Sequence, residues 1–199
     1  MKYVLILILS VYCCASQPYF NNTDFIFTVQ SSLIERQDSI KLESSNQFLA
    51  EQKILWEFRI DNGRVIINEN KTCIQNSDRV FLKNPTSEYL RNTVYIPHPQ
   101  VKLPLAIGDS IYVEQKELVN SEAHDSVSIR GYLKVVDKIK YGENPKDNDV
   151  WKIEAINIDN PKYRATYYYS EKSGFVYFKY IFDDEIVEMN FRVFVYIAR

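Results

Sequence analysis

Few side chains in this chain are suited to bond-making chemistry. Its 199 residues include two histidines, His98 and His124, and three cysteines. Neither histidine is spaced with a cysteine or a second histidine as a metal site requires. Asp147-Asn148-Asp149 begins like a calcium loop. No glycine follows at the sharp turn and no glutamate at the twelfth position, so a solvated loop is expected. There is no Gly-x-Ser-x-Gly elbow. His124 and Asp125 are adjacent and would face opposite ways on a strand. A Cys73–His pair or a Ser–His124–Asp triad would therefore rest on spatial proximity alone. Asp183-Asp184-Glu185 reads as a hairpin tip, and Glu154, Glu171 and Glu188 as charges on or beside strands. The expectation is no metal, no cofactor and no enzymatic activity, with a hydrolase as the weakest reading.

The more informative residues are aromatic. In the last quarter of the chain, Val176, Phe178, Tyr180 and Phe182 alternate with Phe175, Tyr177, Lys179 and Ile181. Met189, Phe191, Val193, Val195 and Ile197 alternate with Asn190, Arg192, Phe194 and Tyr196. The Met189 set predicts a core face. The opposite face is aromatic rather than charged, unlike an ordinary solvated sheet face. Phe178, Tyr180, Phe194 and Tyr196, with Tyr167 and Tyr169 as neighbours, are the candidate ligand-binding residues. Rings with polar tips suit an amphiphile, acyl chain against ring and headgroup near hydroxyl. The alternative is that a second layer covers this face and the rings are simply core.

These residues must be positioned by strands. The 15 Tyr and 11 Phe favour strand over helix. Strands are expected over 150–158, 163–169, 175–182 and 186–198, with turns at 170–174 and 183–184. Ile54 to Asn68 reads as a hairpin turning at Asp61-Asn62-Gly63. Further strands are expected at 25–29 (or a helix entry), 39–43, 79–83, 93–96, 110–114 and 127–140. Gly131 lies inside the last of these, which suggests a bulge or a close approach. Gly108-Asp109 is a turn, and Pro97-His98-Pro99 a stiff connector. Ser32-Leu33-Ile34-Glu35 has the form of a capping box and predicts a short helix near 32–37. A second short helix is expected near 46–52. The sum is a mainly β (β-rich α+β) domain of about ten antiparallel strands with one or two short helices.

The first 16 residues predict a signal peptide. Lys2 precedes the apolar run Tyr3 to Val11, which is too short to span a bilayer, and Cys13-Cys14-Ala15-Ser16 offers small residues for cleavage. Neither Cys13 nor Cys14 follows a small residue, so soluble export is favoured over lipoprotein anchoring. Residues 17–199 are then one domain, periplasmic or secreted, without a membrane span. Export leaves Cys73 alone, a buried hydrophobe rather than half of a disulfide. Asn21 and Asn70 head glycosylation sequons. A net charge of -2 excludes the basic field that nucleic acid requires.

The run Val150 to Glu154, a polar link, and Ala165 to Tyr180, with its Tyr167-Tyr168-Tyr169-Ser170 segment and Gly174 turn, resembles the end of TapB-like exported proteins. Leu105 to Ser110 is similar to that family's Gly-Asp turn before a strand, and Gly131 to Lys140 occupies the place of a strand followed by a polar loop. The resemblance covers residues 105–196. It implies a curved antiparallel sheet or half-barrel like that of LolA and LolB, periplasmic carriers of lipoproteins, wrapped around short helices and holding acyl chains. The expected function is an exported binding protein for a hydrophobic or lipid-like ligand. The alternative is a structural or protein–protein interaction module with an envelope partner, for which an exposed edge strand would be the signature.

Overall fold

The computed structural model describes residues 19, 23–44, 51–60, 64–86, 88–120, 125–142 and 149–196. The predicted leader, Asn21, His124 and most of the two polar loops near 120–126 and 141–149 lie outside the described residues. Twelve strands follow in chain order: β1 (Thr23–Ser31), β2 (Ile34–Ser44), β3 (Glu51–Ile60), β4 (Arg64–Gln75), β5 (Arg79–Leu82), β6 (Gln100–Lys102), β7 (Ser110–Asn120), β8 (Asp125–Lys140), β9 (Asp149–Asn157), β10 (Tyr163–Ser170), β11 (Gly174–Phe182) and β12 (Glu185–Tyr196). One 3₁₀ helix, Glu88–Tyr95, lies between β5 and β6.

All twelve strands form one antiparallel sheet in the order β6-β5-β4-β3-β2-β1-β12-β11-β10-β9-β8-β7. The sheet curls into a nearly closed barrel. The first and last strands pair with each other at its centre, Thr23 opposite Tyr196 through Ser31 opposite Val187. The two free edges, β6 and β7, are therefore consecutive in sequence, and the seam of the barrel falls at mid-chain.

Period-2 alternation explains which face is inside. Phe25, Phe27 and Val29 of β1, Ile40 and Leu42 of β2, and Ile54, Trp56 and Phe58 of β3 are all buried. So are Ile153 and Ala155 of β9, and Val187 and Met189 of β12. Lys152 and Glu154 pair with each other across the outer face of β9. Each large side chain removed from water contributes about 1.5–3 kcal/mol before entropy is counted. Register shifts recur along the sheet, and two of them bear directly on the aromatic interior. One sets Ile26 opposite Val193 but Phe27 opposite Phe191. The other sets Tyr168 opposite Tyr177 but Tyr169 opposite Phe175, which brings Phe175 inside.

Three expectations are corrected. No helix forms at 32–37. Ser32 and Leu33 make the turn between β1 and β2, and the Ser32 hydroxyl accepts from the Ile186 N–H at 2.9 Å, across the sheet, instead of capping a helix. Residues 51 and 52 belong to β3 rather than a helix, while 45–50 lie outside the described residues. Thr93 to Ile96 is not a strand but the end of the 3₁₀ helix and its exit, with the Ile96 N–H bonded to the Thr93 carbonyl at 3.1 Å. Buried Pro85 and Pro97 bracket the segment, and the Thr93 hydroxyl donates to the Pro85 carbonyl, which favours a compact path over an extended one.

The described residues of 83–99 turn much of their length into the barrel. Asn84, Leu90, Thr93, Val94, Ile96 and His98 are all buried. Gly131 lies beneath this segment, where a Cβ would meet Pro97 Cγ at 2.4 Å and the Ile156 carbonyl at 2.6 Å. Glycine at this strand position is thus the close approach that its sequence context suggests.

Candidate functional site

Four of the aromatic candidates lie inside the barrel. Tyr167, Tyr169, Phe178 and Tyr180 are at most 1% exposed. Their rings pack on each other, Tyr167 edge-on to Phe178 at 5.8 Å and Phe178 stacked on Tyr180 at 6.2 Å. The hydroxyls are committed inward: Tyr167 donates to the Pro97 carbonyl at 2.8 Å and Tyr180 to Asn84 Oδ1 at 2.9 Å. Burial raises both phenol pKa values above 10. Phe178 is opposite Met189, so the aromatic face of β11 and the apolar face of β12 are one interior face, not two. Phe194 stands opposite Phe25 and Tyr196 opposite Thr23 in the register. Tyr177 is apart from this set, stacked on Tyr168 at 4.5 Å beside Tyr141.

The remaining sequence candidates do not converge. Cys73 is a free, buried thiol that burial pushes up to about 12, far from a nucleophile's range. Trp151 donates to Glu171 at 3.0 Å, Glu188 pairs with Lys179 at 2.8 Å, and Asp183 pairs with Lys162 at 2.6 Å at an exposed tip. No three His, Cys, Asp or Glu side chains cluster as metal ligands among the described residues. Among them, too, no helix is long and apolar enough to cross a membrane.

Concavity appears instead at the seam. Two clefts, of about 580 Å³ and about 360 Å³, share Gln100, Val101, Lys102 and Ile111 and so run together between β6 and β7. Both volumes fall within the range of ligand sites. The smaller half is lined by Leu105, Leu133, Val135 and Ile153 together with the polar Gln100, Lys102, Asp109 and Ser110. Asp109 is fixed there, since its carboxylate accepts from the Ala106 N–H at 2.8 Å and Gly108, at φ +95°, turns the chain. The larger half carries more charge: Arg79, Lys83, Lys102, Glu114 and Glu117 all line it.

Glu117 clasps both ends of the interior segment. It accepts from His98 Nε2 at 2.8 Å and from Lys83 Nζ at 3.0 Å. His98 Nδ1 in turn accepts from the Asn84 N–H at 3.4 Å, which assigns the proton to Nε2. Burial favours the neutral imidazole and holds the His98 pKa below its usual value. Burial pushes the Glu117 carboxyl up, but its hydrogen bond from His98 and the Lys83 charge outweigh this and hold it well below the usual carboxylate range. Both ring nitrogens of His98 are occupied, so no lone pair is free to accept a substrate proton. Gln115 adds a second clasp, donating to the Ile96 carbonyl and accepting from the His98 N–H.

The seam residues carried no motif. The available signal was on β7, where Gln115 and Glu117 continue the inward period set by Ile111 and Val113. Polar residues on an inward period require partners.

No family model and no curated protein matches the chain. Solved structures with a similar course exist. A protein of Parabacteroides distasonis, provisionally named a lipoprotein, is 11% identical with a TM-score of 0.48, covering 90% of this chain and 99% of its own. A β-barrel-like protein of a domain family of unknown function from Brucella abortus is 7% identical with a TM-score of 0.40, over 90% and 99%. The hypothetical lipoprotein YmcC of Escherichia coli is 14% identical with a TM-score of 0.37, over 92% and 89%.

Proposed function

We propose that this is an exported, non-enzymatic binding protein that holds a lipid-like amphiphile along the seam between β6 and β7. The observation that carries it is the continuity of a partly apolar cleft with a more charged one at a free edge of the barrel. An acyl chain lies against Leu105, Leu133, Val135 and Ile153, and an anionic headgroup meets Arg79, Lys83 and Lys102. Each methylene buried contributes about 0.8 kcal/mol, less the cost of ordering the chain. The aromatic interior is then the scaffold of the site, and its rings are not the ligand contacts. The occupied nitrogens of His98 support a binding role over hydrolysis. The leader-like start of the sequence supports a periplasmic or secreted location, and the resemblance to LolA- and LolB-like carriers agrees with acyl-chain binding.

Native mass spectrometry of the mature protein with added oleate or lysophospholipid tests this. One adduct per chain is expected, and Leu105→Asp, which sets a carboxylate against the apolar residues of the cleft, should weaken it by about tenfold or more, compared below the variant's melting temperature because Leu105 also packs against the core. Absence of any adduct at saturating lipid would overturn the proposal.

A further inference from the structure

The free edge of β7 bears a self-complementary pattern. Its outward residues are Tyr112, Glu114, Lys116 and Leu118, all exposed, with Tyr112 at 62% and Leu118 at 64%. β7 is hydrogen-bonded to β8 on one side and is the last strand of the sheet on the other. Across the seam β6 offers only Gln100–Lys102, and the gap widens into the larger cleft beside 111–117. The strand contains no proline and no bulge from Ser110 to Leu118 that would blunt the edge.

We propose that β7 pairs antiparallel with β7 of a second copy of this chain, about a two-fold axis through Gln115. In that register residues whose numbers sum to 230 oppose each other. Glu114 then faces Lys116 of the other copy, Lys116 faces its Glu114, and Tyr112 and Leu118 face each other twice. Antiparallel strands add directly to an edge, and a two-fold interface requires a surface that complements itself. Cross-strand opposite charges and apolar pairs are the stabilising contacts of such a ladder, and like charges directly opposite destabilise it. A lone outward lysine would blunt self-pairing. Here the glutamate at the mirror position converts that repulsion into attraction. Among the described residues neither Glu114 nor Lys116 is within salt-bridge distance of an opposite charge; Arg130, opposite Glu114 on β8, is bonded to Asp159 and feels Glu114 only as a weaker nearby charge. Tyr132, opposite Tyr112 on β8 and 36% exposed, extends the apolar end of the contact.

This pairing does not depend on the amphiphile proposal and is tested on protein that native mass spectrometry shows to be free of adducts. Sedimentation velocity over a concentration series should show a monomer–dimer equilibrium. Glu114→Lys and Lys116→Glu each place like charges opposite twice and should weaken it about tenfold. The double variant Glu114→Lys/Lys116→Glu should return to the parent's constant, and an equimolar mixture of the two single variants should form a heterodimer. All four positions are solvent-facing, so circular dichroism should be unchanged. A parent chain that stays monomeric to about 0.5 mM, or a dimer indifferent to the single variants, would overturn the proposal.

Discussion

Burial and hydrogen bonding pull His98 in opposite directions, and burial prevails, so the folded protein holds the ring neutral below the usual titration point of 6.5. The consequence for stability has a definite sign. Between the lowered folded value and 6.5 the unfolded chain binds more protons than the native one, so stability is full above 6.5 and falls as the pH drops through that window. Glu117 adds a second, lower limb. Its carboxyl is held below the ordinary 4.5, so its contribution is present above that value and lost as the pH falls through the folded one. The two limbs are separable, because glutamine can reproduce both hydrogen bonds of the neutral ring without titrating. His98→Gln should keep neutral-pH stability within about 1 kcal/mol and flatten only the upper limb in urea titrations run from pH 7.5 to 4. An unchanged upper limb would show that another group sets it.

At the scale of elements, the 83–99 segment depends on partners contributed by distant strands. Tyr167 supplies the hydroxyl that satisfies the Pro97 carbonyl, Tyr180 donates to Asn84 Oδ1, and Trp56 donates to the Lys83 carbonyl at 3.1 Å. Tyr167→Phe leaves a buried carbonyl unpaired with little change of shape and should cost about 1–3 kcal/mol. Hydrogen exchange should locate the loss, with faster exchange of amides in 83–99 and unchanged protection of β1 and β12. Uniform loss across the barrel would instead make the segment part of a single cooperative core. The dependence on distant strands also marks what a sequence can disclose. β9 to β11 were legible because alternation and tight turns are local signals. The interior segment was not, since threonine, valine and isoleucine near 93–96 favour strand locally and only the surrounding barrel makes a compact 3₁₀ path better. Ser32 misled for a related reason: a capping serine and a serine that accepts from Ile186 look alike until β12 is placed beside the turn. The aromatic face failed at the register. Alternation separates two faces within β11, but only the pairing of Phe178 with Met189 tells which face of β12 it joins.

At the scale of the whole molecule, pairing of β1 with β12 ties the described ends of the chain into the centre of the sheet and leaves the seam to β6 and β7. The stretch from Gln100 to Asn120 therefore presents both the seam cleft proposed to hold an amphiphile and the self-complementary edge. Ile111, Glu114 and Glu117 line the groove, while Glu114 also belongs to the outward pattern. A strand laid along β7 occupies the space an amphiphile would fill, so the two events compete. A ligand that binds only the monomer raises the dimer dissociation constant by the square of one plus its concentration over its Kd. At ten times Kd that factor is about a hundred, large enough to read by sedimentation. Oleate below its micelle concentration should convert dimer to monomer, and Leu105→Asp, with its weakened groove, should resist the conversion while dimerising normally without lipid. Lipid binding with an unaltered dimer constant would mean that the groove and the pairing edge, though built on one strand, are used independently.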